Sequence, residues 1–345
     1  MKRRPHTTTT APLLVLAAML AGALGCAAAR GRSSLAPAGP AARTLADLGW
    51  PVLIFFCATT AVMAALLVWV LMRRTGSFAT HDPVDAGGGM GWVVAGGFVI
   101  PGITFTAVFV ATLGVMSSFP MDPARPPVPA IRVIGHQWWW DVEYLVGDLQ
   151  QHFRTANELH VPVGQPVDVE LVTADVIHSF WVPRLHGKVD MVPGLRNHIR
   201  IQADVPGVYA GECAEFCGLQ HAHMRFQVVA ETPAAYVAWL ERQRQPAAAA
   251  QEASAQRGAE VFRTAACPMC HTINGTMALA TVGPDLTHVG SRLTIAAGSL
   301  ANDIANLHAW VVNAPSLKPG TQMPALTQFT GPQLHDLVAY LEGLR

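Results

Sequence analysis

Two uncharged apolar runs, residues 48–72 and 90–119, constrain this chain more than any other feature. Neither contains an Asp, Glu, Lys or Arg, over 25 and 30 positions respectively. A helix rises about 1.5 Å per residue, so about 20 apolar residues cross the hydrocarbon core of a bilayer. In lipid the backbone must satisfy its own polar groups, which leaves a helix as the form of each run. The pattern predicts a transmembrane hairpin over residues 48–119, with spans at 48–72 and 92–117. Arg73 and Arg74 follow the first run directly and hold that end in the cytoplasm. Both outer ends of the hairpin, and everything after about residue 120, are then extracytoplasmic. Trp50 and Trp92 sit near span ends, where indoles anchor at the interface. Cys57, inside the first span with no ligand partner nearby, reads as a small packing residue.

Lys2, Arg3 and Arg4 precede an apolar stretch over residues 11–29. That is the form of a secretory signal, expected over residues 1–29. Cys26 follows Ala23-Leu24-Gly25 and resembles a lipoprotein cleavage position, so a lipid-modified Cys26 is one outcome and an uncleaved third helix another. Residues 30–47, rich in Gly, Ala and Pro, read as a linker. The 23 basic residues balance the 23 acidic ones, so no basic field invites nucleic acid.

Beyond the hairpin, residues 131–232 read as short β-runs, at 131–134, 167–173, 197–201 and 226–230, separated by Pro and Gly. This is a sandwich pattern with ligands expected from loops at one end. Residues 234–244 look helical, 246–250 flexible, and 253–265 helical again. The final helix, 334–344, carries Leu334, Leu337, Val338 and Leu341 on one face. The six cysteines fall as two lone residues and two close pairs. Close pairs beside His and Met point to metal or cofactor sites rather than to a disulfide framework.

The first pair lies in Cys213-Ala-Glu-Phe-Cys217-Gly-Leu-Gln-His221-Ala-His-Met224, and His178 comes earlier in Asp175-Val-Ile-His178. Two thiolates, two imidazoles and a thioether form a soft donor set suited to copper. Zinc is the rival, since two cysteines and two histidines also hold it tetrahedrally. Two thiolates four residues apart can bridge two copper ions, each ion taking one histidine. Met224 and the backbone carbonyl of Glu215 are then weak outer ligands. Such a site has no open position for substrate and suits electron transfer.

The second pair lies in Cys267-Pro-Met-Cys270-His271, the attachment signal of c-type haem. Both thiols add to the haem vinyls and His271 ligates iron. Gly320-Thr-Gln-Met323-Pro resembles the methionine loop of small c-type cytochromes. That makes Met323 the expected sixth ligand, ahead of Met269 and Met277, which lie too close to the tether. Gly283-Pro284-Asp-Leu286 resembles the segment against the proximal histidine, with the Pro284 carbonyl accepting its ring N–H.

Residues 45–232 resemble subunit II of the haem-copper cytochrome c oxidases. The resemblance rests on Gln137-Trp-Trp-Trp140-Asp-Val-Glu-Tyr144, residues 175–183, Lys188-Val-Asp190, Pro193-Gly194, Pro206-Gly-Val-Tyr209 and the Cys213-to-Met224 motif. Residues 252–345 resemble a class I cytochrome c, and the fusion is similar to the caa-type oxidases. The resemblance implies a membrane-anchored multidomain chain: a two-helix hairpin, a cupredoxin-like β-sandwich over 120–232, a helix and linker over 233–251, and an all-α cytochrome c domain over 252–345. It implies that His178, Cys213, Glu215, Cys217, His221 and Met224 hold a dinuclear copper A centre, and that the Glu215 side chain touches a Mg or Mn ion shared with subunit I. Trp138, with Trp139 second, becomes the place of electron input. The implied partners are subunits I and III, membrane lipid, and a donor, either a soluble or membrane-bound cytochrome c or a quinol-oxidising complex. The implied location is a bacterial cell membrane, multi-pass, with both domains periplasmic. Oxygen reduction and proton pumping would belong to subunit I. In one respect the chain departs from the family. Asp85-Ala-Gly-Gly-Gly-Met90-Gly-Trp92 lacks the glutamate common before the second span, leaving Asp82 or Asp85 as candidates to replace it. A copper-bearing nitric oxide reductase subunit and a copper carrier are the competing functions.

Overall fold

The computed structural model describes residues 33–73, 89–119, 128 and 130–345. The expected signal segment, Cys26, Asp82 and Asp85 lie outside them. Two apolar helices come first, α1 (Pro40–Arg73) and α2 (Met90–Ser117). Large apolar side chains along both, among them Ile54, Leu67, Phe98 and Phe105, stand exposed. A water-soluble surface does not carry such a band. The hydroxyls of Thr59, Thr60, Thr106 and Thr112 each donate to the carbonyl four residues earlier, at 2.8 Å, which removes their polarity from the apolar surroundings. A π-turn at Ala95–Val99 precedes Pro101 in α2. The widened turn accommodates a residue that lacks an amide and crowds the preceding turn.

The linker expected over 30–47 is helical from Pro40 onward. Proline is pre-shaped for the first turn of a helix, and the small residues after it let the helix lie close to the sandwich. Ala38, Ala42 and Ala46 are buried. The Ala38 amide donates to the Arg184 carbonyl at 2.7 Å and the Asp204 amide to the Ala38 carbonyl at 2.8 Å. Arg43 pairs with Asp204.

The sandwich contains ten strands: β1 (Ile131–His136), β2 (Trp139–Tyr144), β3 (Phe153–Ala156), β4 (Glu158–Pro162), β5 (Val167–Thr173), β6 (His178–Trp181), β7 (Val189–Met191), β8 (Asn197–Ile201), β9 (Gly207–Cys213) and β10 (Arg225–Glu231). One sheet has the order β3-β2-β1-β5-β8 and the other β4-β10-β9-β6-β7. The β1–β5 and β4–β10 pairs are parallel. Burial alternates along β1 and β10, as the two-residue period of a half-buried strand requires. Trp140, Tyr144, Phe180 and Phe226 fill the space between the sheets. The helix α3 (Pro233–Gln243) joins this core through Trp239 and Leu240, so the sandwich domain continues past the expected boundary at 232.

The C-terminal domain has three helices, α4 (Ala253–Thr264), α5 (Ile304–Leu317) and α6 (Gly331–Gly343). A two-stranded ribbon, β11 (Thr294–Ile295) with β12 (Leu300–Ala301), is added to the all-α plan. The α4 and α6 helices cross at Gly258. A Cβ there would collide with the Asp336 carbonyl and lie 2.8 Å from Tyr340 Cβ. The joint expected to be flexible, residues 246–250, is laid down on this domain. The Ala247 amide donates to Asn274 O at 2.9 Å, His288 Nε2 lies 3.0 Å from Gln245 O, and Ala247 and Ala250 rest on the C-terminal core.

Candidate metal and haem sites

β6 and β9 are neighbours with Phe180 opposite Cys213. His178, at the start of β6, and Cys213, at the end of β9, therefore reach the same end of the sandwich. The chain after β9 curls over them and returns to β10 through a single turn at His221–His223. The Cys213 amide donates to Met224 O at 2.9 Å and closes the loop. The two sulfurs, Cys213 Sγ and Cys217 Sγ, lie 3.7 Å apart. His178 Nδ1 is 3.9 Å from the first and His221 Nδ1 is 3.6 Å from the second. Met224 Sδ is 3.8 Å from Cys217 Sγ, and the Glu215 carbonyl is 3.2 Å from Cys213 Sγ. His178, Cys213, Cys217 and Met224 are all buried.

The donor set fits two soft ions better than one zinc. A closed zinc site uses four donors around one point, whereas here each sulfur of a central pair has its own imidazole and a further weak donor, Glu215 O at Cys213 and Met224 Sδ at Cys217. Each sulfur is the strongest influence on the other. Hydrogen bonding within the pair lowers the pKa of Cys213 and raises that of Cys217, so the two thiols share a proton less readily lost than the first. Metal binding would require both as thiolates, since the thiolate is the ligand.

The support around these donors is also specific. His178 Nε2 lies 2.7 Å from Asp175 Oδ1, and the Gln137 and Val176 amides donate to the same carboxylate at 2.7 Å. Burial opposes ionisation of Asp175, but the bonds from His178 and the two amides outweigh it and hold its carboxyl below the ordinary range. The two ends of Glu215 point to different surroundings. Its carbonyl faces the sulfurs, while its carboxylate is half exposed, 3.3 Å from Lys188 Nζ, which also bonds Asp190 at 2.8 Å.

The three consecutive tryptophans part company. Trp140 is fully buried against Phe180 and Phe226. Trp139 stacks on His136 at 4.4 Å between ring centres. Trp138 is part-buried, and its indole Nε1 donates to the Cys217 carbonyl at 3.0 Å, a carbonyl that Gln137 Nε2 also reaches at 2.7 Å.

At the second site, the Cys270 and His271 amides both donate to the Cys267 carbonyl, at 3.2 and 3.0 Å, forming a tight turn that keeps two thiols and an imidazole together. His271 Nδ1 is 2.7 Å from the Pro284 carbonyl, so that nitrogen is the donor and Nε2 is left free. Burial lowers the pKa of His271 and keeps the ring neutral, the form that ligates metal. Met323 and Cys267 both rest on the C-terminal core. Met269, Leu279 and Val282 stand exposed near the attachment turn, the kind of apolar surface a haem covers. These residues fit covalent haem.

Sequence reasoning passed over several residues. Asp175 had a readable signal, a carboxylate three positions before a ligand histidine. Lys318 and Pro319 had none, and Gly320 was read only as the start of the methionine loop. Lys318 Nζ reaches Trp138 O and His223 O, Gln220 Nε2 donates to Pro319 O at 2.8 Å, and Gly320 lies on the Trp138 ring.

Comparison with known proteins gives a consistent picture. A family model described as cytochrome C oxidase subunit II, periplasmic domain, matches residues 145–231, and one described as cytochrome c matches residues 255–345. Cytochrome c oxidase subunit 2 of Alkalihalophilus pseudofirmus is 34% identical over 339 residues, spanning 97% of this chain and 96% of that protein. Its counterpart in Bacillus subtilis is 31% identical over 255 residues, 69% of each chain. The crystal structure of the periplasmic domain of subunit II of cytochrome oxidase of Bradyrhizobium japonicum is 27% identical and covers 35% of this chain and 96% of that one, with a TM-score of 0.32.

Proposed function

This chain belongs to the cytochrome c oxidase subunit 2 family, and we propose that it is the electron-input subunit of a respiratory oxidase, accepting electrons at a covalent haem c and passing them through a dinuclear copper A centre to subunit I, where oxygen is reduced to water with proton pumping. The observation that carries this reading is the buried sulfur pair, with an imidazole within 4 Å of each sulfur.

In this reading Cys213, Cys217, His178 and His221 would hold the copper pair, with Met224 and the Glu215 carbonyl as further weak donors. Haem c and the copper pair, when bound, supply one-electron carriers. The surrounding residues hold their ligands still. Asp175 fixes the ring of His178, and the sandwich core closes around Cys213, Cys217 and Met224. A donor set that does not rearrange keeps the reorganisation cost of electron transfer low. In the C-terminal domain Cys267 and Cys270 would tether the haem, His271 and Met323 would hold its iron, and the Pro284 carbonyl orients His271. Trp138, and after it Trp139, is the input patch, because the indole of Trp138 is bonded to the loop that carries Cys217.

The outward carboxylate of Glu215 is assigned to a Mg or Mn ion shared with subunit I, beside Asp190. Subunits I and III are the expected partners. The donor is a soluble or membrane-bound cytochrome c or a quinol-oxidising complex. The chain is membrane-anchored by its two apolar helices, which we place in a bacterial cell membrane with both folded domains periplasmic. The fused cytochrome domain weighs against a nitric oxide reductase subunit or a copper carrier.

Purification of the complex with subunit I, followed by metal counting and optical spectra, tests the reading. The expected result is two copper ions and one covalent haem in this chain. One copper, or zinc in place of copper, would overturn the dinuclear centre.

A further inference from the structure

Lys318 immediately follows α5, and its side chain does not point to solvent. Only 4% of its surface is exposed. Its Nζ donates to three backbone carbonyls: Trp138 O at 2.7 Å, His223 O at 3.0 Å and Ala296 O at 3.3 Å. An ammonium has three protons and no acceptor capacity, so each proton has one partner. A buried cation is costly unless its bonds are complete. Burial lowers the pKa of Lys318 from its ordinary value, and the three carbonyls are the bonds that oppose that cost.

We propose that Lys318 is a positioning residue that locks the cytochrome domain onto the tryptophan patch of the copper domain, its ammonium sealed between carbonyls contributed by both. Two of the carbonyls belong to the copper domain, one on the copper loop and one beside it. His223 lies between His221 and Met224, and the indole of Trp138 is bonded to Cys217 O. The third comes from the turn of the β11–β12 ribbon. Ala296 and Ala297 there have φ of 53° and 55°, a left-handed conformation that side-chain-bearing residues avoid. Two bonds offset this. The Ala296 carbonyl accepts from Lys318 within the cytochrome domain, and the Ala297 carbonyl accepts from the Arg225 amide across the seam at 3.0 Å.

Bonds beside the lysine cross the seam in both directions. Gln220 Nε2 donates to Pro319 O at 2.8 Å, and Ser299 Oγ donates to His223 O at 3.2 Å. Farther along the seam, the Leu293 amide donates to Glu158 Oε2 at 2.8 Å. Gly320, with φ +85°, lies so close to the Trp138 ring that an added Cβ would sit 3.3 Å from Cη2 and Cζ3. The seated domain therefore occupies the indole edge that an external donor would use. The consequence for electron flow rests on the electron-input reading above, whereas the lock itself rests on the seam alone.

The test uses the whole oxidase carrying Lys318→Met, which keeps the length of the side chain and removes the cation. Hydrogen exchange should rise about tenfold or more in the amides of residues 220–225 and 293–299, and remain unchanged in α4 and α6. Copper and haem spectra should be unaltered. With added soluble reduced cytochrome c, copper in the variant should be reduced ahead of haem c, by a route that bypasses it, whereas in the parent haem c is reduced first. Loss of packing inside either domain would not produce this reversal. If Lys318→Met does not fold, Lys318→Gln reads the same exchange. Unchanged seam exchange in a folded variant overturns the lock. Parent oxidase without two coppers or without haem would instead overturn the electron-input reading and leave the exchange result standing.

Discussion

At the scale of single residues, one histidine ligand depends on a carboxylate that does not touch the metal position. Asp175 holds His178 Nε2 at 2.7 Å, which leaves Nδ1 facing Cys213 Sγ. Removal of such outer partners commonly costs about 10- to 100-fold in metal affinity. Asp175→Asn should therefore weaken copper retention by about that factor, measured by competition with a chelator. Retention equal to the parent would show that the sandwich alone orients His178. Met323 supports a second test. Met323→Ala should leave the haem covalently attached, because Cys267 and Cys270 are untouched. The iron potential should fall, since methionine ligation raises it, and the ferrous iron should bind carbon monoxide. An unchanged spectrum would assign the sixth position to another residue.

At the scale of elements, close crossings and shared edges decide where the sites lie. Neighbouring β6 and β9 bring His178 to Cys213, although 35 residues separate them. In the C-terminal domain, α4 reaches α6 only because Gly258 has no side chain. The colliding atom would be a backbone carbonyl, which cannot turn aside as a flexible side chain does. Overpacking of this kind costs roughly 1–3 kcal/mol. Gly258→Ala should lower the thermal midpoint of the haem-carrying domain, followed in the haem absorbance, and leave the copper absorbance transition in place. Equal shifts in both would mean that the two domains unfold as one unit.

At the scale of the whole molecule, the joint at residues 246–250 and the seam around Lys318 keep the haem domain beside the copper domain. A tether replaces a second-order encounter with a high local concentration. Residues 121–240 carry 13 acidic and 8 basic residues, and residues 251–345 carry 6 and 5, so both domains are net acidic. Their attraction is therefore not one of opposite charge, and the bonds named at the seam end largely on neutral carbonyls. Haem c oxidation after flash reduction is expected to be independent of enzyme concentration and only weakly affected by salt. Slowing in proportion to dilution would make a separate soluble cytochrome the immediate donor to copper.

The sequence by itself determined what depends on local spacing. The Cys213-to-Met224 motif places four donors on one short loop, and any fold must keep them near one another. The Cys267-to-His271 motif does the same for two thiols and an imidazole. The two uncharged runs can only be helices in an apolar setting. Residues 40–46 escaped because their helix is held by Arg184, Leu185 and Asp204, which lie far along the chain. The division of labour among Trp138, Trp139 and Trp140 was equally hidden, since which indole is buried depends on how β2 lies in its sheet. Lys318 is the clearest case of a role decided by tertiary structure alone. Its partners are main-chain carbonyls, 180, 95 and 22 residues away. Every residue carries such a carbonyl, so no side-chain pattern marks them, and only the meeting of the two domains turns three of them into a seat for a buried cation.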